Sequence, residues 1–343
     1  MNFILKTLLP ALSMLILILD PNTAVRSASD AIQLCLKTVV PSLFPFFVLS
    51  SMLTSALIRS RSIILRPIGR FCRMQPGTES ILLMGLLGGY PTGAQITAQA
   101  WREGTVDHRQ ARRMLGFCCN AGPAFLFGIC GSLFPAGWFA WLLWGIQIIS
   151  AVLTARSLPP VTSAAKAVPA GRQMTLPEAL DRALRNIARV CGWVILFRVL
   201  IGVMEQWLTK LPEPLFVLAS GILELTNGCT MLKQIDSVGL RFYLCSLLLS
   251  FGGICVLMQT VSVAGDLGIR HYLHGKAMQT VFSGLLSLLC MTLFFPEDIK
   301  LPVNTALSLI ALHLFVFILL KSKKTVAFRK RLVYNQKKQE SWI

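Results

Sequence analysis

Apolar residues run along this chain in blocks too long for the alternation of a strand or the single stripe of a surface helix. Ten blocks stand out, at about 4–20, 31–58, 78–100, 113–133, 137–155, 187–207, 214–234, 240–263, 276–295 and 302–320. Most reach the ~20 residues that a helix needs to cross ~30 Å of hydrocarbon. Two blocks carry sequences that oppose a plain helix. The first holds Gly88-Gly89-Tyr90-Pro91-Thr92-Gly93 and then Gln95; the second holds Glu224-Leu-Thr226-Asn227-Gly228. Glycine adds backbone entropy, and proline removes a donor and clashes with the preceding turn. Irregular backbone at membrane depth persists only where protein buries it or a cavity solvates it. Both breaks therefore predict a site. Two further blocks are interrupted, at Asn120-Ala-Gly122-Pro123 and at Ser250-Phe-Gly252-Gly253, with Gln259 two turns beyond.

Composition agrees with a membrane protein. The chain is 54% hydrophobic and 14% charged, against roughly 25% charged in an ordinary soluble domain. The net charge of +18 does not point to nucleic acid, because the basic residues sit in short loops and in the tail, where they encode topology. Residues 1–30 fit a signal peptide, with Lys6, an apolar run to Leu19 and small residues around Ser27–Ser29. They fit a first spanning helix equally well, and that reading is carried forward.

Loop charges set the orientation. The tail after Leu320 has eight basic residues against Glu340, and the loop 59–76 has five arginines and no acid; both are expected to be cytoplasmic. Arg102, Arg109, Arg112 and Arg113 crowd the next loop. A full span at 78–100 would put them outside, so that block is expected to enter from the cytoplasm and return. Parity then makes 214–234 a second re-entrant segment, entering from the opposite side. The expectation is an all-α polytopic membrane protein with about eight transmembrane helices plus two re-entrant hairpins. The order helix, hairpin, broken helix, helix occurs twice with opposite orientation. Such inverted repeats, with discontinuous helices meeting at the midplane, are the architecture of secondary transporters.

Exposed helix N-termini at the breaks would suit an anionic solute. Arg198 and Glu224 lie deep in apolar blocks, where an unpaired charge costs several kcal/mol. Two readings stay open: a structural Arg198–Glu224 pair, or Arg198 on a substrate carboxylate with Glu224 carrying a coupling proton or helping to hold a cation. Arg182, Arg185 and Arg189 recur at helical spacing and read as an interfacial stripe facing lipid phosphates. The ten cysteines show no metal spacing and no CxxC pair, and His271 and His274 form an HxxH read as loop. No catalytic set, phosphate loop, cofactor or metal site is expected, so an enzyme is not.

Several strings together resemble a known family. They are Cys35-Leu-Lys-Thr-Val-Val-Pro41-Ser-Leu-Phe-Pro45, Gly88-Gly-Tyr-Pro-Thr-Gly-Ala94, Phe117-Cys-Cys-Asn120-Ala-Gly122-Pro123, Glu224-x-Thr226-Asn227-Gly228, and Ser250-Phe-Gly252-Gly253 with Gln259. These resemble the sporulation integral membrane proteins of the YlbJ type, within the nucleoside-recognition Gate group, which is laid out like nucleoside transporters. The likeness covers roughly residues 30–295. Together with the apolar blocks and loop charges it gives the expected order: an anchor at 1–30, a first Gate-like repeat at 31–157, a cytoplasmic linker at 158–186, an inverted repeat at 187–320 and a basic cytoplasmic tail at 321–343. It also implies transport of dipicolinic acid across the outer forespore membrane, with solute held at Gly88–Gly93, Gln95, Asn120, Pro123, Arg198, Glu224, Thr226, Asn227, Ser250, Gly252, Gly253 and Gln259. Gln95 stands where the family pattern leads one to expect a lysine. The expected partners are a dicarboxylate or nucleoside-like solute, a coupling H+ or Na+ and the lipid bilayer, but no nucleic acid. A nucleoside or neutral-solute carrier and a non-transporting membrane scaffold remain as alternatives, and homo-oligomerisation is open.

Overall fold

The computed structural model describes residues 11, 14–15, 17–60, 65–161, 174–207, 211–295 and 302–340. The block at 4–20 lies largely outside them. The described residues contain helices and no strand. Among the described residues, six helical stretches are long and apolar enough to cross a membrane: Pro21–Leu53, Trp138–Ser157, Leu176–Glu205, Val238–Leu267, Arg270–Phe294 and Val303–Lys321. Their outer faces remain bare. Leu307, Phe315 and Ile318 on the last stretch are 59%, 59% and 62% exposed. An apolar surface so continuous is stable against lipid tails and not against water. The chain is a polytopic membrane protein.

Helix Pro21–Leu34 is capped by Asp20, whose side chain accepts from the Thr23 N–H at 3.1 Å. Helix Pro21–Leu34 passes through a π-turn at Cys35–Val39 into helix Val40–Ser60. It therefore runs straight across the boundary expected near residue 30. Its small residues Ser27 and Ala31 are buried on helix Leu176–Trp207, where a Cβ on Gly202 would lie 2.0 Å from Ser27 Oγ. Small side chains at this crossing let two backbones approach, which membrane helices use in place of a hydrophobic driving force. Helix Leu176–Trp207 itself starts inside the stretch read as a linker.

The block at 78–100 is two helices, Glu79–Gly88 and Thr92–Arg102. They fold back on each other: a Cβ on Gly93 would come within 3.2 Å of Gly85 Cα, whereas eight residues of continuous helix span ~12 Å. The block at 214–234 does the same through Glu213–Leu223 and Leu225–Met231, with Gly228 packed on Gly221. Both sequence breaks are thus helical hairpins. Each is followed by a helix broken at its expected place. His108–Leu115 and Pro123–Gly128 flank the first gap. Val238–Phe251 and Gly253–Ala264 flank the second, where Gly252 and Gly253 take φ of 84° and 81°, a region L-residues avoid. Helices Trp138–Ser157 and Arg270–Phe294 pack together and close the core. His271 and His274, read as loop, lie in the first turns of Arg270–Phe294.

Candidate functional site

The tip of the first hairpin is built from backbone contact. Glycine at 89, with φ of 71°, turns the chain after the first arm, and Pro91 ends the turn before the second. A Cβ on Gly122 would sit 2.8 Å from Gly89 Cα, so the tip rests directly on the gap of the first broken helix. Tyr90 reaches the other way: its hydroxyl donates to the Leu249 carbonyl at 3.2 Å. A Cβ on Gly252 would meet the same ring at 3.1 Å. One hairpin tip therefore spans the gaps of both broken helices.

The second tip is polar and self-contained. Glu224 leaves the helix in extended conformation and caps the next arm. Its carboxylate accepts from Thr226 N (3.0 Å), Asn227 N (2.6 Å) and Asn227 Nδ2 (2.9 Å). A carboxylate on a helix N-terminus satisfies orphan donors and meets the positive end of the dipole. This hairpin's own acid thus holds the donors that sequence reasoning assigned to an anionic solute. The helices starting at Thr92, Pro123 and Gly253 have no side-chain cap.

Between the tips lies a cavity of about 50 Å³, lined by Gly88, Gly89, Tyr90, Gly122, Glu224, Thr226 and Gln259 among others. Its volume suits one or two waters, at ~30 Å³ each. A larger cavity of about 440 Å³ lies beside it, and Phe47 lines both. Thr92 and Gln95 face this larger space with Arg102, Arg182, Arg185 and Arg189. Arg185 pairs with Asp181 (3.1 Å) and Arg102 with Asp266 (3.4 Å), all four side chains being well exposed. Arg182 and Arg189 have no acidic partner among the described residues. The stripe read as lipid-facing therefore lines a cavity. Its face carries Asn186 as well, whose Oδ1 accepts from Gln95 Nε2 at 3.3 Å, and that contact turns the face toward the first hairpin.

Behind Tyr90 runs a buried polar network. The Lys276 ammonium donates to the Cys119 carbonyl and to Gln279 Oε1, both at 2.7 Å, and lies 5.0 Å from the centre of the Tyr90 ring. Gln279 Nε2 donates to Asn120 Oδ1 at 2.7 Å. Gln147 Nε2 donates to Ser250 Oγ at 3.0 Å. Lys276, Gln279, Asn120, Gln147 and Ser250 are all fully buried. The network ties the first gap, the second broken helix and helices Trp138–Ser157 and Arg270–Phe294 into one unit.

The expected residues thus divide into groups. Gly88, Gly89, Tyr90, Glu224, Thr226 and Gln259 meet at the small cavity, and Thr92 and Gln95 at the large one. Asn120 and Ser250 belong to the network; Asn227 serves Glu224; Pro91, Gly93, Pro123, Gly252 and Gly253 shape the backbone. Arg198 stands apart. Its guanidinium pairs with Glu205 Oε1 at 2.9 Å, seven residues along the same helix, and not with Glu224. Sequence reasoning missed Lys276, Gln279 and Gln147. Lys276 is the first residue of the apolar block at 276–295, where a charge reads as a block end, whereas its helix begins at Arg270. Gln147, Ser150 and Thr154, spaced three and four apart inside an apolar block, were the available signal of a polar helix face.

No protein-family profile matches the chain, and no solved structure does. The sporulation integral membrane protein YlbJ of Bacillus subtilis (strain 168) is 26% identical over 321 residues, covering 78% of each chain.

Proposed function

We propose that this YlbJ-type membrane protein is a transporter of a small anionic metabolite, with dipicolinic acid during endospore formation as its solute. The observation that carries the reading is the arginine-lined cavity of about 440 Å³ beside the two hairpin tips. Its size falls within the range of small-molecule sites. Arg182 and Arg189 offer two positive charges without acidic partners among the described residues, matching a planar solute with two carboxylates. The adjoining small cavity lies between the two breaks, where transporters of this layout hold their solute. The hairpins act as re-entrant segments of an inverted repeat, as loop charge and the two packed helix pairs support. Glu224, the acid that lines the inner cavity, is assigned the coupling proton.

The direct test is uptake of labelled dipicolinate into proteoliposomes. Arg182→Gln and Arg189→Gln are each expected to raise the apparent KM about tenfold, the effect of losing ~1.4 kcal/mol of charge-assisted binding. Arg185→Gln, which already pairs with Asp181, should change it less. Glu224→Gln should keep binding and lose dependence on a proton gradient. Full uptake in all four variants would refute the site, and uptake competed by nucleosides instead of dicarboxylates would favour a neutral-solute carrier.

Orientation has its own test. A cysteine at the exposed Glu103 should react with an impermeant reagent only from the cytoplasmic side, and one at the exposed Asp236 only from outside. External labelling at 103 would remove the re-entrant reading of the first hairpin.

A further inference from the structure

Along the sequence the ten cysteines show no metal spacing and no CxxC pair. Three of them converge in space. Cys130 opens the turn Cys130–Leu133, Cys229 lies on the second arm of the second hairpin, and Cys245 lies in the first half of the second broken helix. Each is fully buried, and their sulfurs all lie within 4.8 Å of one another. All three are free thiols. We propose that Cys130, Cys229 and Cys245 form a three-sulfur site for a soft monovalent cation, Cu(I) or Ag(I).

The donor set chooses the ion. Thiolates favour soft metals over hard cations such as Mg2+ or Ca2+, which take oxygen. No fourth His, Cys, Asp or Glu joins the group among the described residues, so the tetrahedral set that structural zinc needs is incomplete. A trigonal ion with ~2.3 Å metal–sulfur bonds spaces its sulfurs about 4.0 Å apart. The observed spread needs less than about 1 Å of contraction to reach that. A disulfide would join two of the sulfurs and exclude the third.

Charge and access fit as well. Each sulfur that binds as thiolate gives its proton to water, leaving negative charge in the core. Arg241 precedes Cys245 by one turn on the same helix face. Its guanidinium donates to the Leu133 carbonyl at 2.6 Å and to the Ile235 carbonyl at 2.6 Å. It thus sits at the end of the turn that carries Cys130 and at the end of the turn Leu232–Gln234 that follows the helix of Cys229, and partly offsets the charge. Leu225, one turn before Cys229, and Phe125 line the small central cavity, so the cavity wall comes within one helical turn of the cluster.

The test uses the full chain, purified in detergent, reduced and stripped of metal. Titration with Cu(I) against bicinchoninate should give one ion per chain. Cys130→Ser, Cys229→Ser and Cys245→Ser should each weaken it by about 100-fold or more, above the usual cost of losing only a supporting residue. Cys290→Ser should leave it unchanged. X-ray absorption of the loaded unaltered protein should show three sulfurs and no fourth ligand, a readout that stands even if a variant fails to fold. Equal affinity in the triple serine variant, a two-sulfur or nitrogen–oxygen shell, or a disulfide between two of these cysteines in the unreduced protein would each overturn the proposal.

Discussion

Gly228→Ala is expected to remove almost all folded protein from the membrane. A Cβ there would lie 2.1 Å from Gly221 Cα and 2.6 Å from Gly221 N. These are backbone atoms of the opposing arm, and no rotamer change can move them. Overpacking a flexible core costs ~1–3 kcal/mol, so a clash with a fixed helix arm should cost more than about 3 kcal/mol. The first hairpin has the equivalent lock. A Cβ on Gly85 or on Gly93 would each lie 1.8 Å from the Cys118 carbonyl oxygen, and alanine at either should have the same consequence. Gly192→Ala is the control, because nothing lies within 4 Å of its Cβ position and it is inside helix Leu176–Trp207. That change should be neutral or stabilise by up to ~1 kcal/mol. Size-exclusion profiles and thermal unfolding in detergent decide the matter: a Gly228→Ala protein that is monodisperse with unchanged melting would show that the arms are not packed as described.

Lys276→Met should separate function from stability. The substitution strands the Cys119 carbonyl and Gln279 Oε1, at ~1–3 kcal/mol for each unsatisfied buried group. It also removes an ammonium whose burial opposes folding, since neither acceptor carries a charge to repay its desolvation. The two effects have opposite signs, and the net change in stability is expected to stay within about 2 kcal/mol. Uptake should fall at least about tenfold, because the ammonium positions the Tyr90 ring that spans both gaps. A network member that merely fills space would show the reverse split, with lost stability and normal transport per folded molecule. Unchanged uptake with intact melting would remove Lys276 from the mechanism.

How much of this was legible beforehand follows the physics of each signal. Gly89, Pro91, Gly252 and Gly253 announced the breaks because their backbone chemistry opposes a helix wherever they stand. Arginines at 59–76 and 102–113 argued that the first broken block returns to its own side; the structure packs the two short arms of that block on each other, and the side to which they return is what the labelling at 103 tests. Arg198 was misjudged because depth in an apolar block gives no direction around the helix. Its partner turned out to be Glu205, two turns away on the same face. Arg182 and Arg189 were judged lipid-facing for the same reason, and the Gln95–Asn186 contact turns their face toward the cavity.

The sequence by itself determined the class of the protein and the positions of its irregular backbone, since span length, helix-breaking chemistry and loop charge are local properties. Only the tertiary structure decided which side chains share a space. Lys276 meets Cys119 and Tyr90, and Cys130 meets Cys229 and Cys245, across separations that no local pattern encodes. Such meetings depend on how the helices rotate and cross, and that is fixed by packing at contacts such as Gly221 on Gly228 and Gly89 on Gly122.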